Sequence, residues 1–245
     1  MKTTNNLIIE TEKEKYKIEI IGATIPKQYF YQNGVIEPAY CLEKCCRYSN
    51  NKNEKGYLKS CPCRNNFYSC SGGELDIREM ILEEKTDPVL VCCKLSFAEE
   101  YDSEFISDFF NGNISSKRRY IYQKLGLVND ALWILFRKLF SRDLIFSFGP
   151  CRLCGQDCTI NSGLPCRMKT IYSMERVGIR VDKIVKEFLG FELQWLNKFE
   201  NGYERPQYLC SVGLLFTEKI NISEELVKIF NQKLEKKEIA SYDCY

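Results

Sequence analysis

Four cysteines, Cys151, Cys154, Cys158 and Cys166, stand at the spacing C-x2-C-x3-C-x7-C. Two thiolates three residues apart can face one ion or cluster from a single tight turn, and a third, four residues on, closes the far side of the same loop. Gly149, Pro150, Gly155, Gly163 and Pro165 supply the bends that such wrapping needs. These residues predict a metal-holding loop made of thiolates alone. A denser group precedes it: Cys41, Cys45, Cys46, Cys61, Cys63 and Cys70, six cysteines within 30 residues, flanking polar loops rather than apolar stripes. Here Cys41, Cys45 and Cys61 give three ligands, with Cys46, Cys63 or Cys70 as the fourth. If only three protein thiolates hold a cubane, one iron keeps an open position, which points away from an electron carrier and toward an enzyme.

Composition narrows the chemistry. The 245 residues include 14 cysteines and no histidine. Mixed Cys/His zinc sites, Ser/His and Cys/His nucleophile pairs, and imidazole acid–base catalysis are therefore excluded. Soft sulfur selects iron–sulfur clusters, zinc or Cu(I) over magnesium, calcium or manganese. The expected cofactor is one or two [4Fe–4S] clusters, since four cysteines are the usual complement. Zinc is the alternative, although zinc ribbons pair two C-x2-C knuckles and this loop has one. The N-terminus lacks the pattern of a signal peptide, and no apolar run reaches the roughly 18 residues of a membrane helix. The expectation is a cytoplasmic, reducing location, where clustered cysteines serve metal or redox chemistry rather than disulfides. A net charge of +2 gives no electrostatic case for nucleic acid or membrane partners. A redox partner protein is expected; oligomeric state is not legible.

Basic residues crowd the second loop: Arg152 and Arg167, assigned to the cofactor, with Lys169, Arg176 and Arg180. They either offset the negative charge of a thiolate-bound cluster, raising its potential together with the start of the following helix, or form a basic face that docks an acidic partner. Cys92, Cys93 and Cys210 lie in apolar strands and read as small hydrophobes. Neighbours on a strand face opposite ways, so Cys92 and Cys93 cannot serve one site. Cys244, in the polar tail, is assigned nothing.

The elements that must hold these residues follow from periodicity. Residues 1–13 read as a loose lead-in and 16–25 as a strand. A short helix spans 76–85, with Ile77, Met80 and Ile81 on one face, and a buried strand spans 89–95. Residues 98–116 read as a short helix or loop. A long helix covers 117–141, with Ile121, Leu125, Val128, Leu132, Phe136 and Phe140 on its apolar face; Gly126 and Asn129-Asp130 weaken its middle. A strand over 144–148 delivers the cysteine loop. Ser173 is expected to cap a helix that Gly190 stops, with Met174, Val177, Val181, Ile184, Val185 and Phe188 as its stripe. Strands are expected at 191–195 and 208–216. Asn221 and Glu224 predict a capping box for a last helix buried through Leu226, Val227, Phe230 and Leu234. The fold class is α/β or α+β: a single domain, residues 1–245, with a central mixed sheet flanked by helices. Two cysteine-rich metal-binding segments, 40–71 and 149–190, gather at one end of it.

The stretch Gly149-Pro150-Cys151-Arg152-Leu153-Cys154, then Cys158, Pro165-Cys166-Arg167, Ser173-Met174-Glu175 and Gly178-Ile179, resembles the predicted metal-binding protein family of unknown function (domain of unknown function 2284). Cys41, Cys45, Tyr48 and Cys61-Pro62 resemble its upstream motif, so the likeness covers about residues 40–190. Cys63 stands where the family tends to have a second proline, and the polar stretch between Cys46 and Cys61 is longer than the family's. The resemblance implies metal binding, iron–sulfur above all, in anaerobic metabolism, and no established reaction.

Overall fold

The computed structural model describes residues 2–10, 15–37, 77–96, 114–140, 143–149, 151–154, 171–194, 197–199, 202–204, 207–217 and 221–235. Six strands form one mixed sheet in the order β1-β2-β3-β8-β4-β5. They are β1 (Lys2–Glu10), β2 (Lys15–Thr24), β3 (Val89–Ser96), β8 (Tyr208–Phe216), β4 (Leu144–Ser147) and β5 (Tyr172–Ser173). All neighbours pair antiparallel except β4 and β5, which run parallel with Phe146 opposite Tyr172 and Ser147 opposite Ser173. The expected mixed sheet flanked by helices is the architecture observed. No described helix is long and apolar enough to cross a membrane.

Period-two alternation splits the core cleanly across the sheet. On one face Ile21, Leu90, Cys92, Val212, Leu214, Leu144 and Phe146 meet Phe30, Ile77, Ile81, Met174, Val177 and Ile184. These come from a short turn of helix at Lys27–Tyr31, from α1 (Arg78–Glu83), and from the segment leading into α3 (Val181–Ile184). On the other face Ile18, Ile20, Val91, Cys93, Leu95, Ile145 and Leu215 meet two long helices, α2 (Ile114–Leu139) and α4 (Ile222–Glu235). The two faces thus separate Cys92 from Cys93, as alternation requires.

The helices repeat the sequence pattern with instructive additions. Val128, Leu132 and Phe136 of α2 are buried, and Asn129 is accommodated because the buried Ser211 of β8 donates its hydroxyl to Asn129 Oδ1. Gly213 of β8 lies directly under Phe136: a Cβ there would sit 2.5 Å from Phe136 Cζ. Glycine lets the helix settle onto the sheet at that point. Helix α4 has the predicted capping box, with Asn221 Nδ2 donating to Glu224 Oε1 at 2.7 Å and Glu224 N donating to Asn221 Oδ1 at 3.4 Å. Lys138 and Glu225 tie α2 to α4 through a 2.6 Å ion pair.

Three expectations are corrected. The supposed lead-in is an edge strand, because β1 pairs with β2 from Lys2–Ala23 to Glu10–Lys15, and an edge needs only one partner and no apolar face. Ser173 does not cap a helix: it ends β5, and its hydroxyl accepts from Arg176 N at 3.2 Å within a tight turn. The helix starts only at Val181, after Ile179 has bridged to Ile36, and its last turn widens over Val185–Leu189 before Gly190 ends it. The apolar stripe is still buried, because a turn followed by a short helix puts the same side chains against the sheet. Residues Phe191–Gln194 form no strand; a small hairpin of β6 (Asn197–Phe199) and β7 (Gly202–Glu204) follows instead.

Candidate metal centre

Strand β4 is buried along its whole length and carries the chain into the cysteine loop. Gly149 turns it there, at φ +59°, a left-handed conformation that a side chain would strain. Cys151 and Cys154 follow, both half-buried and in no disulfide. Cys151 and Leu153 pack against the α2/α4 face of the core beside Phe148.

Helix α2 grips this loop at two points. Trp133 stacks edge-on against Phe148 with centroids 6.1 Å apart, and against Phe136 at 5.4 Å. One turn along, Arg137 Nη2 donates to the carbonyl oxygen of Arg152 at 2.8 Å. Phe148 and Arg152 flank Cys151 in the chain, so the loop is held on both sides of it. Trp133 is 2% exposed, and its Nε1 is buried without a hydrogen-bond partner among the described residues. An unmade buried donor costs about 1–3 kcal/mol. The sequence carries no sign of either contact; Arg137 lies on the exposed side of an amphipathic pattern.

The turn after β5 leaves the sheet at the same end, since β4 and β5 run parallel. Met174 N donates to Ser147 O at 2.8 Å, tying this turn to the start of the cysteine loop. Glu175 sits in the turn. Burial raises its carboxyl above the usual carboxylate range, against the pull of its own backbone N–H and the Ser173 hydroxyl. The same turn receives the chain that leads to the first cysteine group. Glu37 N donates to Gly178 O at 2.8 Å, and Arg180 N donates to Val35 O at 2.9 Å. Arg180 then holds Glu37 at 3.1 Å and Asp182 at 2.8 Å. This corrects the basic cluster: Arg180 is engaged by carboxylates. The helix start expected to add positive potential lies three residues beyond that turn, in an α-helix only four residues long.

Strand β3 reaches this end as well, since both it and β4 run antiparallel to β8. Burial, followed by contact with Cys210, pushes the Cys92 thiol well above its ordinary range, and burial does the same to Cys93. They are core thiols, as the sequence implied. Lys94 pairs with Glu19 at 3.1 Å and lies 4.5 Å from the ring centre of Tyr208, closing that side of the sheet.

Of the sequence-derived ligands, Cys151 and Cys154 lie among the described residues, on one short loop. Cys158, Cys166, Cys41, Cys45, Cys46, Cys61, Cys63, Cys70 and Arg167 lie outside the described residues. Among the described residues no group of three or more candidate ligands forms. The family model described as Predicted metal-binding protein (DUF2284) matches residues 77–216. The chain belongs to this family. The match spans β3, α2, the Cys151–Cys166 loop and β8, and it begins after the first cysteine group. No curated protein and no solved structure matches the chain.

The residues present fit a sulfur-bound metal. Two thiols three apart share a loop held to a helix at two points, in a chain without imidazole, and an unpartnered N–H donor is buried in the same layer.

Proposed function

We propose that the protein holds an iron–sulfur centre, most simply a [4Fe–4S] cluster, on Cys151, Cys154, Cys158 and Cys166, and that it passes single electrons to a partner protein in the cytoplasm. The observation that carries this reading is the Cys151–Cys154 pair, half-open to solvent at the end of a buried strand, in a metal-binding family and a histidine-free chain. A cluster supplies one-electron chemistry at a potential set by charge, hydrogen bonds to sulfur and exposure. The chain's own residues do the rest. Arg137 fixes the loop backbone, Trp133 and Phe148 keep water from its inner side, and Arg152 adds positive charge beside the first thiol. Half-exposed ligands leave a short path for an electron to a docked protein.

The first cysteine group supports a second reading, an enzyme with an open iron. The chain entering that group is pinned at Glu37 to the turn that follows the second group. Two centres suit reaction at one and electron supply from the other. Structural zinc in a non-redox module is the competing occupant.

Anaerobic purification with metal and acid-labile sulfide analysis tests the proposal. Brown protein with matching iron and sulfide supports it, and loss of colour in Cys151→Ser and Cys154→Ser assigns the ligands. Colourless protein containing zinc would end the electron-transfer reading. Retention of iron and colour in Cys41→Ser, Cys45→Ser and Cys61→Ser would remove the second centre.

A further inference from the structure

Indole N–H groups donate and cannot accept, so a buried one needs an acceptor. Trp133 Nε1 has none among the described residues, although the side chain is 2% exposed. Among the described residues, the side-chain acceptors of its layer are the sulfurs of Cys93 and Cys151 and the oxygens of Ser211 and Asn129, and those two oxygens already bond each other. Cys93 is fully buried, and burial keeps it a neutral thiol, a weak acceptor. Cys151 is half-buried on the loop and belongs to the ligand pair. A metal-bound thiolate is a far stronger acceptor than a thiol. The helix face is also right: Trp133 meets Phe148, three residues before Cys151, and Arg137, one helical turn away, holds Arg152.

We infer that Trp133 is a positioning residue of the metal centre, its indole N–H donating to Sγ of Cys151 when that thiolate carries metal. The inference rests on the proposed ligand role of Cys151 and extends it: α2 sets the direction and basicity of the sulfur as well as the place of the loop. Partners of this kind orient ligands and tune the bound centre.

The test uses the full chain, 15N-labelled at tryptophan and titrated anaerobically with 113Cd(II), a soft, diamagnetic, thiophilic ion. The chain has two tryptophans, Trp133 and Trp195, and Trp195→Phe assigns the two indole resonances. The Trp133 N–H resonance is expected to move downfield on loading, to exchange more slowly with solvent, and to show a coupling to 113Cd through the hydrogen-bonded sulfur. Trp133→Phe, which keeps an aromatic ring in the layer, should fold without metal as the wild type does and bind Cd(II) roughly tenfold more weakly. Cd(II) bound with no coupling and no shift of the Trp133 resonance overturns the inference alone, leaving the indole to a water or to packing. Failure of the wild type to bind Cd(II) overturns it together with the ligand assignment. If Cys93→Ala abolishes the coupling while Cys151→Ala leaves it, the acceptor is the wrong sulfur and the inference fails.

Discussion

Arg137 Nη2 lies 2.8 Å from the carbonyl oxygen of Arg152, so the last turn of a 26-residue helix is fastened to the loop between the first two candidate ligands. Helix and loop are joined in sequence by β4, and this contact closes the unit into a ring of helix, strand and loop. Arg137→Met keeps the aliphatic stem and removes the donor. One solvent-exposed hydrogen bond contributes about 1 kcal/mol, so metal affinity should fall roughly fivefold if the bond tightens on loading, while the metal-free protein loses at most about 2–4 °C in Tm. Titration with Cd(II), with unfolding of the metal-free protein in parallel, checks it. An equal loss in both would mean that Arg137 serves the fold and not the loop.

Gly213 of β8 lies tight against Phe136 of α2. Gly213→Ala would place its Cβ 2.5 Å from Phe136 Cζ and 3.0 Å from Cε1, forcing α2 outward. Overpacking of this kind costs about 1–3 kcal/mol, or about 2–4 °C in Tm per kcal/mol for a chain of this size. In a Phe136→Leu background the same substitution should cost little. A double-mutant cycle by thermal unfolding that gave additive effects would place the strain elsewhere.

Glu175 predicts a pH dependence. Its carboxyl is raised in the folded protein by burial, so the folded state holds this proton more tightly than the unfolded chain. The group's contribution is complete below the ordinary carboxylate range and is lost as pH climbs from there through the raised value. Glu175→Gln should match the wild type in acid, exceed it at neutral pH, and flatten the slope between. Denaturant unfolding across that window reads the difference. A steeper slope in the variant would show that the carboxylate is stabilising when charged.

The cysteines divide by reactivity. Burial holds Cys92 and Cys93 as neutral thiols inside β3, whereas Cys151 and Cys154 reach solvent. Alkylation of metal-free protein under anaerobic conditions, read by mass spectrometry, should label the loop pair and spare the strand pair until denaturant is added. Metal loading should then protect the loop pair. Rapid labelling of Cys93 in the folded protein would contradict its place in the core.

Much of the frame was legible because alternation and helical periodicity are local signals. Strands β2, β3, β4 and β8 and helices α1, α2 and α4 fall where apolar spacing puts them, and the Asn221–Glu224 box stands as its residue types imply. Edge strand β1 was missed because pairing with one neighbour demands no apolar face. The turn at Met174–Gly178 reads as helix in sequence because a stripe spaced for a helix is buried equally well by a turn and a short helix packed against the same sheet.

By itself the sequence determined which donors the chain can offer: cysteine sulfur without imidazole, two cysteines three residues apart behind a buried strand, with Cys92 and Cys93 consigned to opposite faces. Those are properties of residue type and spacing, which no packing can change. Only the tertiary structure decided that Trp133 meets Phe148 and Arg137 the Arg152 carbonyl on either side of Cys151 in the chain, that Arg180 is taken by Glu37 and Asp182, and that the chain entering the first cysteine group is tied to the turn after the second. Each of these joins elements distant along the chain or converts a side chain on an unremarkable helix face into a contact. Residue periodicity cannot encode such contacts, because they depend on which faces the sheet brings together.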